Sequence, residues 1–114
     1  MVGFPELWLP GYPNFIHALA PPACGELMLR YFKNSLEVDS HYMTDIRKAA
    51  RDAHIMTVLG SSERDGGSLY MAQTFIGPDG GVLLHRRKFK PTAHERLIFG
   101  DAVSSCLSPL WMGI

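Results

Sequence analysis

Two charged side chains in separate segments could carry acid–base chemistry: a carboxylate near the start of the chain and an amine much later. Glu6 lies in the apolar stretch Phe4–Leu9. Desolvation by its neighbours would raise the pKa of Glu6 and make it a better proton acceptor near neutral pH. Lys88 follows the apolar segment Val82–Leu84, so a strand there would deliver a cation to its end. Alone, each residue could equally be a solvated charge, at a strand end or in a short basic run.

Glu95 is a third candidate, inside the segment Thr92–Arg96. It could pair with Arg96 locally, or it could turn inward to hold a lysine. Strand alternation places Lys88 and Lys90 on the same face, so the pattern by itself does not separate these two lysines.

The sequence offers no clear nucleophile, metal site or cofactor site to accompany these residues. Cys24 and Cys106 are far apart and outside Cys-x-x-Cys spacing, so neither a disulfide framework nor a zinc site follows from them. We expect each to be a buried or incidental free thiol. The five histidines show no metal-ligand spacing. Gly66-Gly67 is a turn rather than a phosphate loop, because no Gly-Lys-Ser/Thr follows it.

The helices that must position these residues are predicted from caps and apolar spacing. Prolines are expected to keep residues 10–25 irregular, and Gly25–Lys33 is predicted to be a short helix. Asp39 or Ser40 is a favourable N-cap for a helix from about His41 to His54.

The strands are predicted from short apolar runs between turn signals. They are Val2–Pro5, Ile55–Gly60, Leu69–Ile76 and Val82–Arg87. The segment Ser61–Gly67 is predicted to be a polar turn, and Gly77-Pro78-Asp79-Gly80 a hairpin turn. Strands that are apolar on both sides need cover on both faces. An α/β arrangement of three or four layers is therefore expected, although one clear helix cannot cover two faces.

Composition limits the classes of function. The chain has 114 residues, of which 46% are hydrophobic, which is typical of one globular domain or part of one. Its 11 basic and 11 acidic residues give no net charge, so neither nucleic acid nor an anionic membrane is an expected partner. No apolar run approaches the roughly 20 residues of a membrane span. The sparse cysteines and the absence of a recognisable signal peptide favour a cytoplasmic location.

Three segments of the chain resemble the nitrilase branch of the carbon–nitrogen hydrolase superfamily. They are Phe-Pro-Glu-Leu-Trp-Leu-Pro-Gly-Tyr-Pro (4–13), Glu-Arg-Asp-Gly-Gly-Ser-Leu-Tyr-Met-Ala-Gln (63–73) and His-Arg-Arg-Lys-Phe-Lys-Pro-Thr-Ala-His-Glu-Arg-Leu-Ile-Phe-Gly (85–100). They occur in the family's order. The double-basic start of the third segment and its Lys-Pro-Thr are more similar to nitrilases and cyanide hydratases than to amidases or carbamoylases.

The resemblance implies a fold and a set of roles. The fold would be part of a four-layer α-β-β-α sandwich over residues 1–101, followed by a divergent tail over residues 102–114. Glu6 matches the general base, Lys88 the catalytic lysine and Glu95 a second glutamate that positions the site. Tyr12 would lie near the substrate. The choice of Lys88 over Lys90 depends on this resemblance.

The nucleophile that the family uses is not found in these segments. In the family it stands in a Cys-Trp-Glu context beyond the lysine, and no Cys-Trp-Glu occurs here. Cys106 has neither that spacing nor that context, and Cys24 lies in a Pro-Pro-Ala-Cys-Gly segment. The family's first strand and helix would also precede Val2. A truncated or misassembled gene model is one hypothesis for this pattern.

Two functional hypotheses follow from the resemblance. The first is a nitrilase-like hydrolase that converts a nitrile to a carboxylate and ammonia by a Glu–Lys–Cys mechanism. Its substrate would be a small nitrile or cyanide, it would need no cofactor, and the complete protein would be a homo-oligomer. The alternative is a catalytically inactive fragment that at most associates with a partner subunit, because loss of the nucleophile removes the covalent route.

Overall fold

The computed structural model describes residues 1–18 and 20–103, and Cys106 with most of the predicted tail lies outside them. The elements are β1 (Val2–Gly3), α1 (Phe15–Ala18), α2 (Pro21–Asn34), α3 (His41–Asp52), β2 (Thr57–Asp65), β3 (Ser68–Ile76), β4 (Val82–Arg87) and a 3₁₀ helix (Ala93–Leu97). They form one mixed sheet with helices, which confirms the α/β class. None of the helices in these ranges has the length and apolar character needed to cross a membrane.

The sheet follows chain order, β1-β2-β3-β4. β1 is parallel to β2, and β2, β3 and β4 are successively antiparallel. The predicted hairpin turn between β3 and β4 is confirmed, since the Gly77 N–H donates to the Gly81 carbonyl oxygen at 2.8 Å. Gly80 has the positive φ, 81°, that such a turn requires of a glycine. This hairpin fixes the strand end that carries Lys88.

The predicted polar turn over Ser61–Gly67 is wrong, because β2 continues to Asp65. Only Gly66-Gly67 turns, and Gly66 takes a positive φ of 58°. Ser61, Ser62 and Glu63 are buried despite their polarity. Buried polar groups are tolerated where they are hydrogen-bonded, and Glu63 and Ser62 both have partners in distant segments.

The helical segments begin earlier than predicted. Residues 10–25 are not all irregular, because they contain α1 and the start of α2 at Pro21. Proline is tolerated in the first turn of a helix, where a backbone N–H has no intrahelical partner. α3 is confirmed with Ser40 as its N-cap, whose hydroxyl accepts from the Met43 N–H at 3.5 Å.

Two apolar clusters cover opposite faces of the sheet. One contains Leu69 and Met71 of β3, and the other contains Ile76 of the same strand. Odd and even positions of a strand face opposite sides. Tyr31 of α2 joins the first cluster and Met43 of α3 joins the second. Each face of the sheet therefore has an apolar cluster to which a helix contributes, α2 on one face and α3 on the other. β4 remains largely exposed.

Candidate active site

A tight loop after β1 carries Glu6 across β2. Leu7, the next residue, is fully buried and has a left-handed backbone conformation with a φ of 54°. Where the loop crosses β2, a Cβ atom on Gly60 would clash with the carbonyl oxygen of Pro5. Only glycine allows this approach, so the packing of the loop determines where Glu6 lies.

Lys88 lies directly after β4 and remains attached to the sheet, since its backbone N–H donates to the Met71 carbonyl oxygen at 2.7 Å. Its Nζ atom lies 3.2 Å from Oε1 of Glu6 and 3.1 Å from Oε1 of Glu95. The side chain of Lys90 is 72% exposed. The structure thus places Lys88, rather than Lys90, between the two carboxylates.

Glu95 turns inward from the 3₁₀ helix and is almost fully buried. Its Oε1 atom accepts from the Thr92 N–H at 2.9 Å and the Thr92 hydroxyl at 3.0 Å, in addition to Lys88. Its Oε2 atom accepts from the Tyr12 hydroxyl at 3.2 Å. Of the two alternatives left open by the sequence, the inward contact with a lysine is the one observed, and Arg96 points elsewhere.

These contacts determine the charges of the site. Burial opposes ionisation of Glu95, but hydrogen bonds from Thr92 and Lys88 outweigh it and hold the pKa of Glu95 below its ordinary value. Burial also opposes charge on Lys88, yet its hydrogen bonds to Glu95 and Glu6 raise the pKa of Lys88. Both groups therefore remain ionised near neutral pH, and Lys88 is a fixed cation rather than a proton acceptor.

The prediction that apolar neighbours desolvate Glu6 is wrong in this structure, since its side chain is 53% exposed. The loop directs Leu7 into the core and Glu6 outward, while Trp8 is itself 52% exposed. Within residues 1–18 and 20–103, the hydrogen bond to the Glu6 carboxylate comes from Lys88. Sequence neighbours therefore do not enclose this group, and it retains open acceptor positions.

Tyr12 lies beside Glu95, on the continuation of the loop that carries Glu6. The loop is held by Tyr31 of α2, whose hydroxyl donates to the Gly11 carbonyl oxygen at 2.8 Å. Burial, followed by the negative charge of Glu95, raises the pKa of Tyr12. Its hydroxyl is therefore protonated near neutral pH and serves as a donor to Glu95.

A cleft of about 430 Å³ opens on Glu6 and Lys88. Its other walls include Gly60, Met71, Gln73 and Arg86. Sites for small molecules typically enclose about 300–1,000 Å³, so the cleft suits a small substrate. The arrangement can hold a fixed cation and an exposed carboxylate against a molecule of that size.

The Carbon-nitrogen hydrolase family model matches residues 1–109. The chain belongs to the carbon–nitrogen hydrolase family. The expectation drawn from the three segments is thus confirmed at the level of the family.

Curated relatives of this carbon–nitrogen hydrolase chain have names from the nitrilase branch. A cyanide hydratase of Gibberella zeae is 49% identical over 100 residues, which are 88% of this chain and 28% of the relative. A nitrilase of Talaromyces marneffei is 45% identical over 108 residues, 95% of this chain and 34% of the relative. An aliphatic nitrilase of Rhodococcus rhodochrous is 46% identical over 109 residues, 95% of this chain and 30% of the relative. The chain spans about a third or less of their length.

A solved structure supports the fold of the carbon–nitrogen hydrolase chain. The carbon–nitrogen hydrolase of Helicobacter pylori matches with a TM-score of 0.61 over 90% of this chain and 32% of that protein, at 17% identity. At this identity the likeness concerns the fold alone.

A second buried carboxylate of this carbon–nitrogen hydrolase chain is absent from the sequence predictions. The side chain of Glu63 is 5% exposed. Arg87 donates two hydrogen bonds to it, from Nη2 to Oε1 at 2.6 Å and from Nε to Oε2 at 3.0 Å. His85 Nε2 lies 2.8 Å from the same Oε2 atom. His85 also reaches the Thr74 hydroxyl at 2.8 Å, and Arg87 stacks 3.9 Å over the ring of Tyr70.

The signal for this cluster was strand alternation. If the strand Ile55–Gly60 is continued through the polar residues that follow it, alternation places Glu63 on one face of the sheet. Tyr70 of β3 lies on the same face, and Met71 lies on the opposite one. The assignment of Ser61–Gly67 as a turn concealed it.

Cys24 lies on α2 and is buried, as expected of a packed thiol. Its Sγ atom approaches the Phe15 carbonyl oxygen at 3.7 Å. Cys106 lies outside the described residues. No group of three or more histidine, cysteine, aspartate or glutamate side chains within the described ranges could hold a metal ion.

Proposed function

We propose that this chain supplies the proton acceptor, the cation and the second carboxylate of a nitrilase-type hydrolase. The reaction converts a nitrile to a carboxylate and ammonia. The observation that carries the proposal is the position of Lys88 Nζ, 3.2 Å from Glu6 and 3.1 Å from Glu95, at the edge of a cleft. The names of the relatives, cyanide hydratase and aliphatic nitrilase among them, support a nitrile or cyanide as the substrate.

The difference between the two carboxylates supports a separate role for each. Glu95 accepts from Thr92, Lys88 and Tyr12, so its charge is fully engaged in holding its neighbours. Glu6 is half exposed and retains acceptor capacity. A thiol placed in the cleft could therefore transfer its proton to Glu6, which would leave a thiolate to attack the nitrile carbon.

Lys88 would stabilise the negative charge that develops on the nitrile nitrogen. Because its pKa is raised, the ammonium donor is present before the reaction begins. Thiolate addition gives a thioimidate, water then displaces ammonia to give a thioester, and a second water releases the acid and the thiol. Glu95 would hold Lys88 in place throughout.

The thiol itself is proposed to come from the part of the family proteins that this chain does not span, because neither cysteine of the chain has the Cys-Trp-Glu context. The same observation favours a second candidate function. The chain would then be a catalytically inactive fragment that at most associates with a partner subunit.

Other properties of the active protein are proposed on lesser grounds. The balanced charge supports a small uncharged substrate rather than a polyanion. The resemblance supports a homo-oligomer, and the sparse cysteines support a cytoplasmic site of action.

A chimera tests the site with a nucleophile present. Residues 1–100 would replace the matching segment of the Rhodococcus rhodochrous aliphatic nitrilase, and release of ammonia and amide from aliphatic, aromatic and cyanide substrates would be measured. We expect turnover, and we expect Glu6→Gln and Lys88→Met each to lower it by about 10²–10⁴-fold, the contribution of a positioned proton acceptor or charge.

Lys90→Met is the matched control, because Lys90 follows in the same segment but lies in solvent. It should leave turnover nearly unchanged. A folded chimera that turns over without Lys88 would overturn the assignment. A folded chimera without any turnover would favour the inactive-fragment alternative.

A further inference from the structure

A chain of three hydrogen-bonded side chains connects an exposed histidine to the buried carboxylate of Glu95. The Tyr12 hydroxyl lies 3.2 Å from Oε2 of Glu95 and 3.2 Å from Nε2 of His17. Glu95 is buried, whereas His17, on α1, is exposed to solvent. These hydrogen bonds therefore connect the protein surface to Glu95, the group that holds Lys88.

A count of protons fixes the direction of these hydrogen bonds. The ionised Glu95 carboxylate can only accept, so the single hydroxyl proton of Tyr12 is donated to it. The Tyr12 oxygen must then accept from His17, which requires a proton on Nε2 of His17. An imidazole that carried its proton on Nδ1 alone would instead face the tyrosine oxygen with a lone pair.

Ring contacts hold His17 in the orientation that this donation needs. Its ring is nearly parallel to that of Tyr12, at 4° with centroids 5.9 Å apart. The ring of His94 meets it edge to face, at 74° and 4.9 Å. Because His94 belongs to the same 3₁₀ helix as Glu95, the helix touches both ends of the hydrogen-bonded chain.

We propose that His17 is a positioning residue for Glu95, acting through Tyr12. The donation from His17 orients the tyrosine hydroxyl toward Oε2, and Oε2 is then occupied while Oε1 holds Thr92 and Lys88. The importance of this role for catalysis rests on the proposed function, in which Glu95 holds Lys88 in place. The hydrogen-bonded chain itself can be tested without any turnover.

The same proton count refines the role of Tyr12. With its proton committed to Glu95 and an acceptor position facing His17, the hydroxyl has no proton to offer a substrate nitrogen. The Tyr12 hydroxyl can then meet a substrate only through its remaining acceptor position, and any other contact is made by the ring. Tyr12 is a positioning residue at its hydroxyl end.

Two variants of His17 separate hydrogen bonding from packing. His17→Phe keeps an aromatic ring against Tyr12 but removes the donor. His17→Gln removes the ring but keeps an N–H that can reach the tyrosine oxygen. The readout is the titration of the Glu95 carboxyl carbon by NMR in the full 13C,15N-labelled chain, with Tyr12→Phe as the reference for complete loss of the hydroxyl.

We expect Tyr12→Phe to shift the pKa of Glu95 upward, because a donor to the ionised carboxylate is lost. His17→Phe should produce a smaller shift in the same direction, and His17→Gln should restore the wild-type value. His41→Gln, the matched control at an exposed imidazole on α3 whose ring contacts Tyr42, should leave it unchanged. A shift in His17→Gln but none in His17→Phe would show that His17 acts by packing alone and would overturn the proposal.

The wild-type chain gives an independent measurement. Long-range 1H–15N correlation at a pH where histidine is neutral identifies the protonated nitrogen of each imidazole. We expect Nε2–H at His17, and we expect its nitrogen signals to move in Tyr12→Phe while those of His41 on α3 stay in place. A proton on Nδ1 of His17 would overturn the proposal. Neither result depends on catalysis, so a failed turnover assay leaves this inference standing and its own failure leaves the proposed function standing.

Discussion

Glu63 and Glu95 are both buried carboxylates, and each is held by one of two adjacent cations, Arg87 and Lys88. Consecutive side chains near a strand end point to opposite faces. One cation therefore serves a cluster within the sheet and the other serves the cleft. The two sites show how one short basic segment can supply structure on one face and chemistry on the other.

The Glu63 carboxylate accepts three hydrogen bonds from His85 and Arg87, both of which belong to the same sheet. Arg87 uses two nitrogens of its planar guanidinium, a geometry that matches a carboxylate and that lysine cannot reproduce. Burial opposes the charge of Glu63, but the contacts with His85 and Arg87 outweigh it and lower its pKa to about 2. Such a buried cluster stabilises the strands and is closed to a substrate by the 5% exposure of the Glu63 side chain.

The Glu95 cluster uses the compact ammonium of Lys88, which can face two carboxylates at once. One of these carboxylates, Glu6, is half exposed and open on the cleft. Burial of a carboxylate therefore does not by itself mark an active site. What distinguishes the Glu95 cluster is a neighbouring group with unfilled acceptor positions.

Glu63→Gln is expected to cause the largest loss of stability among the variants of the two clusters. This change removes the buried anionic partner of Arg87 and leaves it the exposed Asp65. We expect a loss of about 3 kcal/mol in the free energy of unfolding, the low end of what removing one partner of a buried ion pair costs. Urea denaturation of the full chain measures it. Glu37→Gln, which removes a 56% exposed carboxylate paired with Arg64, is the control and should cost under about 1 kcal/mol. Equal losses in the two variants would contradict the structural role of Glu63.

Low pH should reduce the contribution of the Glu63 cluster to stability. The pKa of Glu63 is depressed in the folded state, so its contribution to stability is present above the unfolded value and is lost as the pH falls toward about 2. We expect the free energy of unfolding to fall by about 3 kcal/mol between about pH 6 and about pH 2, with Glu95 adding in the same direction. Urea titrations at stepped pH measure the fall, and a flat profile would rule out a depressed Glu63.

Replacing the guanidinium with an ammonium sharpens the contrast between the two cations. Arg87→Lys should cost about 2 kcal/mol, because it loses the two-pronged grip on Glu63 and the stacking on Tyr70. Arg96→Lys is the control at a 54% exposed arginine and should lie within about 0.5 kcal/mol of wild type. Thermal unfolding of both variants decides the matter. If Arg87→Lys changes the free energy of unfolding as little as the control does, the paired hydrogen bonds of the guanidinium do not stabilise the fold.

The smallest expected change in stability is that of Lys88→Met. Glu95 keeps its donors from Thr92 and Tyr12, so we expect a loss under about 1 kcal/mol. The pKa of Glu95 should nevertheless rise, because Lys88 favours its ionised form. Carboxyl-carbon NMR measures the rise, and Lys90→Met should leave the pKa unchanged. A destabilisation as large as that of Glu63→Gln would mean that Lys88 is a structural ion pair.

The parts of the fold that the sequence predicted correctly depend on local signals. The N-cap Ser40 lies three residues from the N–H that it accepts from, and the hairpin turn at Gly77–Gly80 closes on itself. The end of β2 was missed because the partner that makes burial of Glu63 possible, Arg87, is 24 residues away. Distant partners of polar residues leave no local pattern.

The contacts of the candidate site also divide into a local one, which the sequence suggests, and a distant one, which it does not. The contact of Lys88 with Glu95 joins residues only seven apart, and an inward glutamate was among the alternatives considered. The contact with Glu6 joins residues 82 apart, and only the family resemblance linked them. Residue types predicted the chemistry that each group could do, while the exposure of Glu6 depended on the path of its loop.

The crossing at Gly60 has a consequence for how this protein can vary. A Cβ atom there would also come within 3.0 Å of the Cα of Glu6. Any substitution would lift the loop and move the carboxylate away from Lys88, although Gly60 carries no functional group. A position that looks inert in a catalogue of variants would therefore behave like a mutation of the reactive groups themselves.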